Sequence, residues 1–210
     1  MSSDTAVAGS IRILLADDQA LIRGAFAALI GLEPDMTVVA QVGTGDDVVP
    51  AAVRHSPDVA LLDIQMPGLD GLTAAASLAH QLPACRVIIL TTFGRPGYLR
   101  RAMEAKAAGF MVKDAPPEML IDAIRRVHSG LRVVDPTLAA ESLSLGESPL
   151  TGRERDVLVA TTDGGTVAEI AGRLFLSEGT VRNHLSSVIG KTGARTRADA
   201  VRIATERGWI

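Results

Sequence analysis

Short apolar runs and longer amphipathic segments alternate along the first 130 residues. Residues 11–16 (IRILLA), 36–42, 59–62, 86–91 and 110–112 are too short for stable helices and read as strands. Residues 21–30, 46–55, 72–82, 98–108 and 118–128 carry apolar side chains at helical spacing. Five such βα units predict a doubly wound, five-stranded parallel sheet with helices on both faces. The run Val59, Ala60, Leu61, Leu62 ends on Asp63 and a Pro67-Gly68 turn. It therefore reads as a buried central strand delivering an acid to its carboxyl end, the edge where open α/β sheets keep their chemistry.

The pattern changes after residue 130. In GLRVVDPTLAAESLSLGESP the strand-helix alternation stops and Gly, Pro and Ser accumulate, with one helical turn expected after Pro136. From Leu150 onward the pattern is wholly helical. Thr151 with Glu154 is a capping box that opens a helix through Leu158 to about Thr162. Asp163-Gly164-Gly165 breaks it, Thr166 opens a second helix, Ser177 caps a third, and a last helix spans about 197–207. Two short helices joined by a tight turn predict a helix-turn-helix. The expected division is a first domain over 1–130, a linker over 131–148 and a small all-α domain over 149–210.

In a doubly wound sheet the first and third strands end side by side, so Asp17, Asp18 and Asp63 are expected to converge. Three neighbouring carboxylates ionise cheaply only beside a cation, and hard oxygen ligands in an open site suit Mg²⁺. The fourth strand ends on Thr91 and the fifth on Lys113, bringing a hydroxyl and an ammonium to the same rim. Together they form a phosphoryl-transfer constellation of metal ligands, acceptor carboxylate, hydroxyl donor and neutralising amine. Each residue has an ordinary alternative as a helix cap, a strand residue or a solvated charge. Their shared rim is what favours the functional reading.

Charge is distributed unevenly behind the net value of −3. Residues 1–130 hold 11 Lys and Arg against 14 Asp and Glu, whereas residues 177–207 hold six against three. An acidic first half with a locally basic end fits a cation-using domain joined to one that meets an anion. With 47% hydrophobic and 21% charged residues, the chain has the composition of a globular protein. The single cysteine, Cys85, rules out a disulfide framework, and no signal peptide or membrane span is recognisable. A cytoplasmic protein without membrane insertion is expected. His55, His80, His128 and His184 lack metal-ligand spacing.

The third helix of the second domain, SEGTVRNHLSSVIGK, has two faces. Val181, Leu185 and Val188 recur at core spacing and leave Arg182, Asn183, Ser186 and Ser187 pointing outward. Arg and Asn are shaped for bidentate contacts to guanine and adenine, although an ordinary solvated face shows the same pattern.

The strings ILLADD, LLDIQMPGLDG, IILTTF and GFMVKD resemble the receiver domain of two-component response regulators, with a flavodoxin/CheY-like fold, over residues 11–130. The resemblance implies Asp63 as phosphoacceptor, Asp17 and Asp18 as acidic-pocket residues, and the Gln65 backbone carbonyl as a further Mg²⁺ ligand. It also implies Thr91 as the hydroxyl that moves onto the phosphoryl group, Lys113 as its counter-ion and Phe110 as the aromatic switch. LTGRERDVL and TVAEIAGRLFLSEGTVRNHLSSVIGKTG resemble the LuxR/NarL-type helix-turn-helix across residues 149–208. This implies that Thr180, Arg182, Asn183, Ser186 and Ser187 face DNA, with His184 and Lys191 near backbone phosphates. Where many relatives carry a lysine, Ser186 offers only a hydroxyl.

The combination is similar to response regulators of the NarL/FixJ type. It implies a partner sensor histidine kinase, promoter DNA as ligand, and a homodimer on phosphorylation. Candidate dimer surfaces are the first helix (Leu21, Ile22, Phe26, Leu29), the fifth (Met119, Leu120, Ile124) and the last (Ala198, Val201, Ile203). The segment TTFGRPGY resembles the DesR-like subgroup, which governs fatty-acid desaturation in related bacteria, and places Phe93 with Gln65 as a barrier to attacking water. Two other readings are an Asp63-based phosphatase and a constitutive DNA-binding protein with a silent receiver. Phosphatases of the haloacid-dehalogenase type need a second acid two residues after the nucleophile, where this chain has Gln65.

Overall fold

The computed structural model describes residues 9–92, 96–136, 138–140, 148–162 and 164–210. The chain divides into two compact units, Met1–Gly94 with Arg101–Pro136, and Arg95–Arg100 with Thr137–Ile210.

The first unit is built from β1 (Ile11–Ala16), α1 (Ala20–Ile30), β2 (Met36–Val42), α2 (Val48–His55), β3 (Val59–Asp63) and α3 (Gly71–Gln81). It continues with β4 (Arg86–Thr91), the later part of α4 (Pro96–Glu104), which enters this unit at Arg101, then β5 (Gly109–Val112), α5 (Pro117–His128) and β6 (Val133–Val134). All strand pairs are parallel, in the order β2-β1-β3-β4-β5-β6. The order turns around at β1, so the carboxyl ends of β1 and β3 share one crevice, the binding position of doubly wound sheets.

Every residue of β3 is buried, the signature of a central strand covered on both faces. Alternation sorts the side chains. Ile13, Leu15, Val59, Leu61, Ile88 and Leu90 pack in one core with Ile30 of α1 and Leu120, Ile121 and Ile124 of α5. Leu14, Leu62, Ile89 and Phe110 are buried on the opposite side of the strands. Cys85 is buried, and desolvation, with a smaller contribution from Asp58, pushes its thiol up to about 12.

Among the described residues the sheet has six strands where five were expected. Val133–Val134 pairs with β5 in the register Gly109↔Val133 and Phe110↔Val134, inside the stretch read from sequence as linker. A two-residue strand is too short to show a period, so only its pairing reveals it. Helix α4 stops at Glu104 rather than Ala108. Lys106 takes a left-handed φ of 61°, and the Ala107 amide returns to the Ala102 carbonyl at 2.9 Å, closing the helix. Residues 138–140 are helical, in line with the turn expected after Pro136.

The second unit holds α6 (Gly152–Val159), α7 (Val167–Leu174), α8 (Glu178–Thr192) and α9 (Arg197–Glu206). Both Thr151/Glu154 and Thr166/Glu169 form complete capping boxes, and Ser177 caps α8 by accepting from the Thr180 amide. Val157, Ile170, Ala171, Val181 and Leu185 form one small core; Leu150, Leu158, Val188, Ala200, Ala204 and Trp209 form another. Val201 and Ile203 pack against the second core, so of the apolar α9 positions read as exposed, only Ala198 is fully exposed. Among the described residues no helix is long and apolar enough to cross a membrane.

Candidate functional site

Strand register brings the predicted acidic cluster together. Ala16 lies opposite Leu62, Asp63 opposite Leu90, and Thr91 opposite Val112, so Asp17, Asp63, Thr91 and Lys113 leave four adjacent strands at one rim. Asp17, Asp18 and Asp63 each offer one carboxylate oxygen within 4.8 Å of the other two. Asp17 and Asp63 are buried and Asp18 is exposed, so the cluster opens to solvent through Asp18. Hard oxygen donors at this spacing fit Mg²⁺.

Lys113 spans the buried pair. Its Nζ lies 2.7 Å from Asp17 Oδ2 and 3.0 Å from Asp63 Oδ2, with all three side chains about 5% exposed. The other Asp17 oxygen accepts from the Gln19 amide at 2.9 Å, and Arg23 donates to the Asp17 carbonyl. Burial pushes the Asp63 carboxyl above the usual carboxylate range; the Lys113 ammonium opposes the shift and the Asp17 charge adds to it. One buried cation thus partly offsets two buried anions, and Asp63 carries the residual cost.

The loop after β3 is held tightly. The Gly71 amide donates to the Ile64 carbonyl at 2.9 Å, and a Cβ at Gly71 would lie 1.9 Å from the Asp63 carbonyl oxygen. Only glycine permits that approach. The Gly45 amide likewise donates to the Pro67 carbonyl at 3.0 Å, with no room for a Cβ beneath Leu69. Asp70 caps α3 by accepting from the Thr73 amide at 2.6 Å. Gln65 stands exposed in this loop, Thr91 is buried, and Phe110 is wholly enclosed. Phe93 lies outside the described residues.

The second candidate surface is the outward side of α8. Val181, Leu185 and Val188 face inward as expected, while Arg182, Asn183 and Ser186 are exposed and His184 is half-buried. Thr180 turns its hydroxyl to Ser177 Oγ at 2.8 Å, and Arg182 Nη2 donates to Glu178 Oε2 at 2.6 Å. Half-buried Ser187 and exposed Lys191 are both tied to α6. Ser187 Oγ donates to Glu154 Oε1 at 2.6 Å and Lys191 Nζ to Glu154 Oε2 at 2.7 Å.

Glu154 is the residue that sequence reasoning missed. Its capping-box role accounted for it locally, whereas it also anchors α8 from 33 and 37 residues away while only 5% exposed. Burial raises its pKa, but hydrogen bonds from Lys191, Ser187 and Thr151 outweigh that and hold the carboxyl at about 2.

Residues 13–125 match the response regulator receiver domain, and residues 148–204 match the luxR family of bacterial regulatory proteins. The chain belongs to the response regulators of the NarL/LuxR family. The regulator is 43% identical over 200 residues to the transcriptional regulatory protein DesR of Bacillus subtilis, covering 95% of this chain and 99% of DesR. Identity to the uncharacterized transcriptional regulatory protein YvfU of the same organism is also 43% over 200 residues, with 95% and 100% covered. Among solved structures, the response regulator ChrA of a heme-sensing two-component system shares 34% identity at a TM-score of 0.58, covering 96% of this chain and 100% of ChrA. RcsB in a DNA complex is alike in fold, with a TM-score of 0.66 at 21% identity over 94% of this chain and 98% of RcsB. This response regulator is therefore a transcription regulator and not an enzyme acting on free phosphate esters.

Proposed function

We propose that Asp63 accepts a phosphoryl group from a partner sensor histidine kinase, and that its phosphorylation promotes dimerisation and sequence-specific binding to promoter DNA. The observation that carries this reading is the convergence of Asp17, Asp18, Asp63, Thr91 and Lys113 at one sheet rim. An Asp63 oxygen attacks phosphorus as the histidine N–P bond breaks, and the imidazole leaves with the bonding electron pair. Asp17, Asp18, Asp63 and the Gln65 carbonyl would hold Mg²⁺, which supplies charge neutralisation for the incoming phosphoryl oxygens. Lys113, already 3.0 Å from Asp63, pairs with one of those oxygens, and Thr91 donates its hydroxyl to another. The inward movement of Thr91 opens space for Phe110 to repack, altering the face formed by α4, β5 and α5.

On that reading the regulator works in the cytoplasm as a phosphorylation-dependent dimer. Thr180, Arg182, Asn183 and Ser186 meet the major groove, His184 and Lys191 the phosphate backbone, and Ser187 contributes from the position Glu154 gives it. Two recognition helices on adjacent half-sites give far higher joint affinity than one. Fewer of the apolar candidates are available to a dimer surface than sequence suggests. Leu120 and Ile124 belong to the core, whereas Leu21 on α1 and Met119 on α5 are 87% and 46% exposed.

The test is the solution mass of the full chain and of Asp63→Ala, with Mg²⁺, before and after addition of beryllofluoride. A monomer-to-dimer shift confined to the wild type supports acceptor, acidic pocket and switch together. A shift in both proteins, or in neither, removes Asp63 phosphorylation as the trigger of assembly.

A further inference from the structure

We propose that Glu178 is a positioning residue that sets the base preference of the recognition helix by holding the Arg182 guanidinium. This rests on the DNA-binding reading above. Glu178 is in the first turn of α8, and its carboxylate accepts from Arg182 Nη2 at 2.6 Å across one helical turn. The order, acid before base at i and i+4, is the favourable one on a helix. Both side chains stand in solvent, 49% and 63% exposed, so the pair adds little to folding. Its consequence lies in what the guanidinium is left able to do.

Arginine offers five N–H donors in a rigid fork, and Glu178 engages Nη2 alone. A two-donor edge remains for O6 and N7 of guanine, while the long side chain loses much of its rotamer freedom before DNA arrives. The same carboxylate disfavours binding through phosphates alone. Helix N-termini attract DNA phosphates through their free amides and dipole, and in α8 an acidic side chain already occupies that turn. An Arg182 that swung onto a phosphate would leave Glu178 unpaired beside a polyanion. Glu178 thus makes sequence-independent contact costly and leaves the guanine-facing arrangement intact, which is negative selection for specificity. At the neighbouring position Thr180 is likewise engaged locally, its hydroxyl 2.8 Å from Ser177 Oγ, so this turn is ordered before it meets a groove.

The experiment uses the full chain with Mg²⁺ and beryllofluoride. Duplexes enriched by the wild type from a randomised pool are compared with shuffled duplexes of the same composition, for wild type and Glu178→Gln. The expected result for Glu178→Gln is tighter binding to shuffled DNA and a steeper salt dependence by about one unit. The ratio of enriched to shuffled affinity is expected to fall about threefold or more. An equal gain on both duplexes would reduce Glu178 to a general negative charge and overturn the proposal, as would no change on either. Failure of the wild type to enrich any sequence would instead sink the DNA-binding reading itself.

Discussion

The Lys113 backbone amide donates to the Thr91 carbonyl at 2.8 Å. The hydroxyl and the ammonium proposed to converge on a phosphoryl group are therefore linked through backbone before either side chain moves. Lys113 also lies between two buried carboxylates, at 2.7 Å and 3.0 Å. Removing it should strand both charges. Lys113→Ala is expected to destabilise the first unit by about 3 kcal/mol in urea denaturation, the usual cost of orphaning a buried ionic partner. It should also lose the beryllofluoride response. Unchanged stability would mean that solvent already screens the pair.

Burial raises the Asp63 pKa above its ordinary 3.8. In the window between the unfolded and folded values the native state binds more protons than the unfolded chain, so this carboxyl lowers stability as pH rises through it. Asp63→Asn keeps the shape and removes the titration. The variant should melt above wild type at pH 7, and the two should converge below pH 3.8. A melting point at pH 7 no higher than wild type would show that Lys113 fully offsets the burial.

Much of this organisation is legible from local pattern alone. Alternating short apolar runs give the parallel sheet, and Thr151, Thr166 and Ser177 mark three helix starts because capping chemistry acts within one turn. Tertiary partners are not local. The hold of Glu154 on Ser187 and Lys191 crosses 33 and 37 residues, and the Val133–Val134 strand is defined only by its pairing with β5. Leu120 and Leu21 are both apolar helix residues, yet one is 4% and the other 87% exposed. Which helix phase meets the sheet depends on packing that periodicity does not specify.

Glu154 gives the second unit an acid-sensitive anchor. Its folded pKa of about 2 lies below its ordinary 4.5, so its contribution is present above 4.5 and is lost as pH falls towards 2. Trp209, the chain's one tryptophan, is buried in the adjoining core and reports on this unit alone. Its fluorescence should show wild-type stability declining over that window and a flatter profile for Glu154→Gln. At pH 7 the variant should be about 1.5–3 kcal/mol less stable, the range for losing hydrogen bonds to a charged group.

Phe175, in the turn between α7 and α8, combines a left-handed backbone (φ 54°) with 95% exposure. A bulky L-residue costs roughly 1–2 kcal/mol there, whereas glycine adopts the conformation without strain. Because the ring buries almost nothing, Phe175→Gly should stabilise the second unit by about 0.5–1 kcal/mol after the entropic cost of glycine. Chemical denaturation followed by Trp209 fluorescence measures this. A destabilised variant would mean that the ring makes contacts its exposure does not reveal.

Substituting Arg182 tests the proposed division between base reading and general attraction to DNA. As an exposed fork on the outward side of α8, it should contribute chiefly where guanine offers two acceptors. Arg182→Ala is expected to weaken enriched sites by about 1–3 kcal/mol. Shuffled duplexes should lose much less, and the salt slope should change by less than about one unit. Titrations of both duplexes at two salt concentrations distinguish the cases. Equal losses on both, together with a shallower salt slope, would make Arg182 a phosphate contact and transfer base reading to Asn183 and Ser186, whose exposed side chains lie on the same side of the helix.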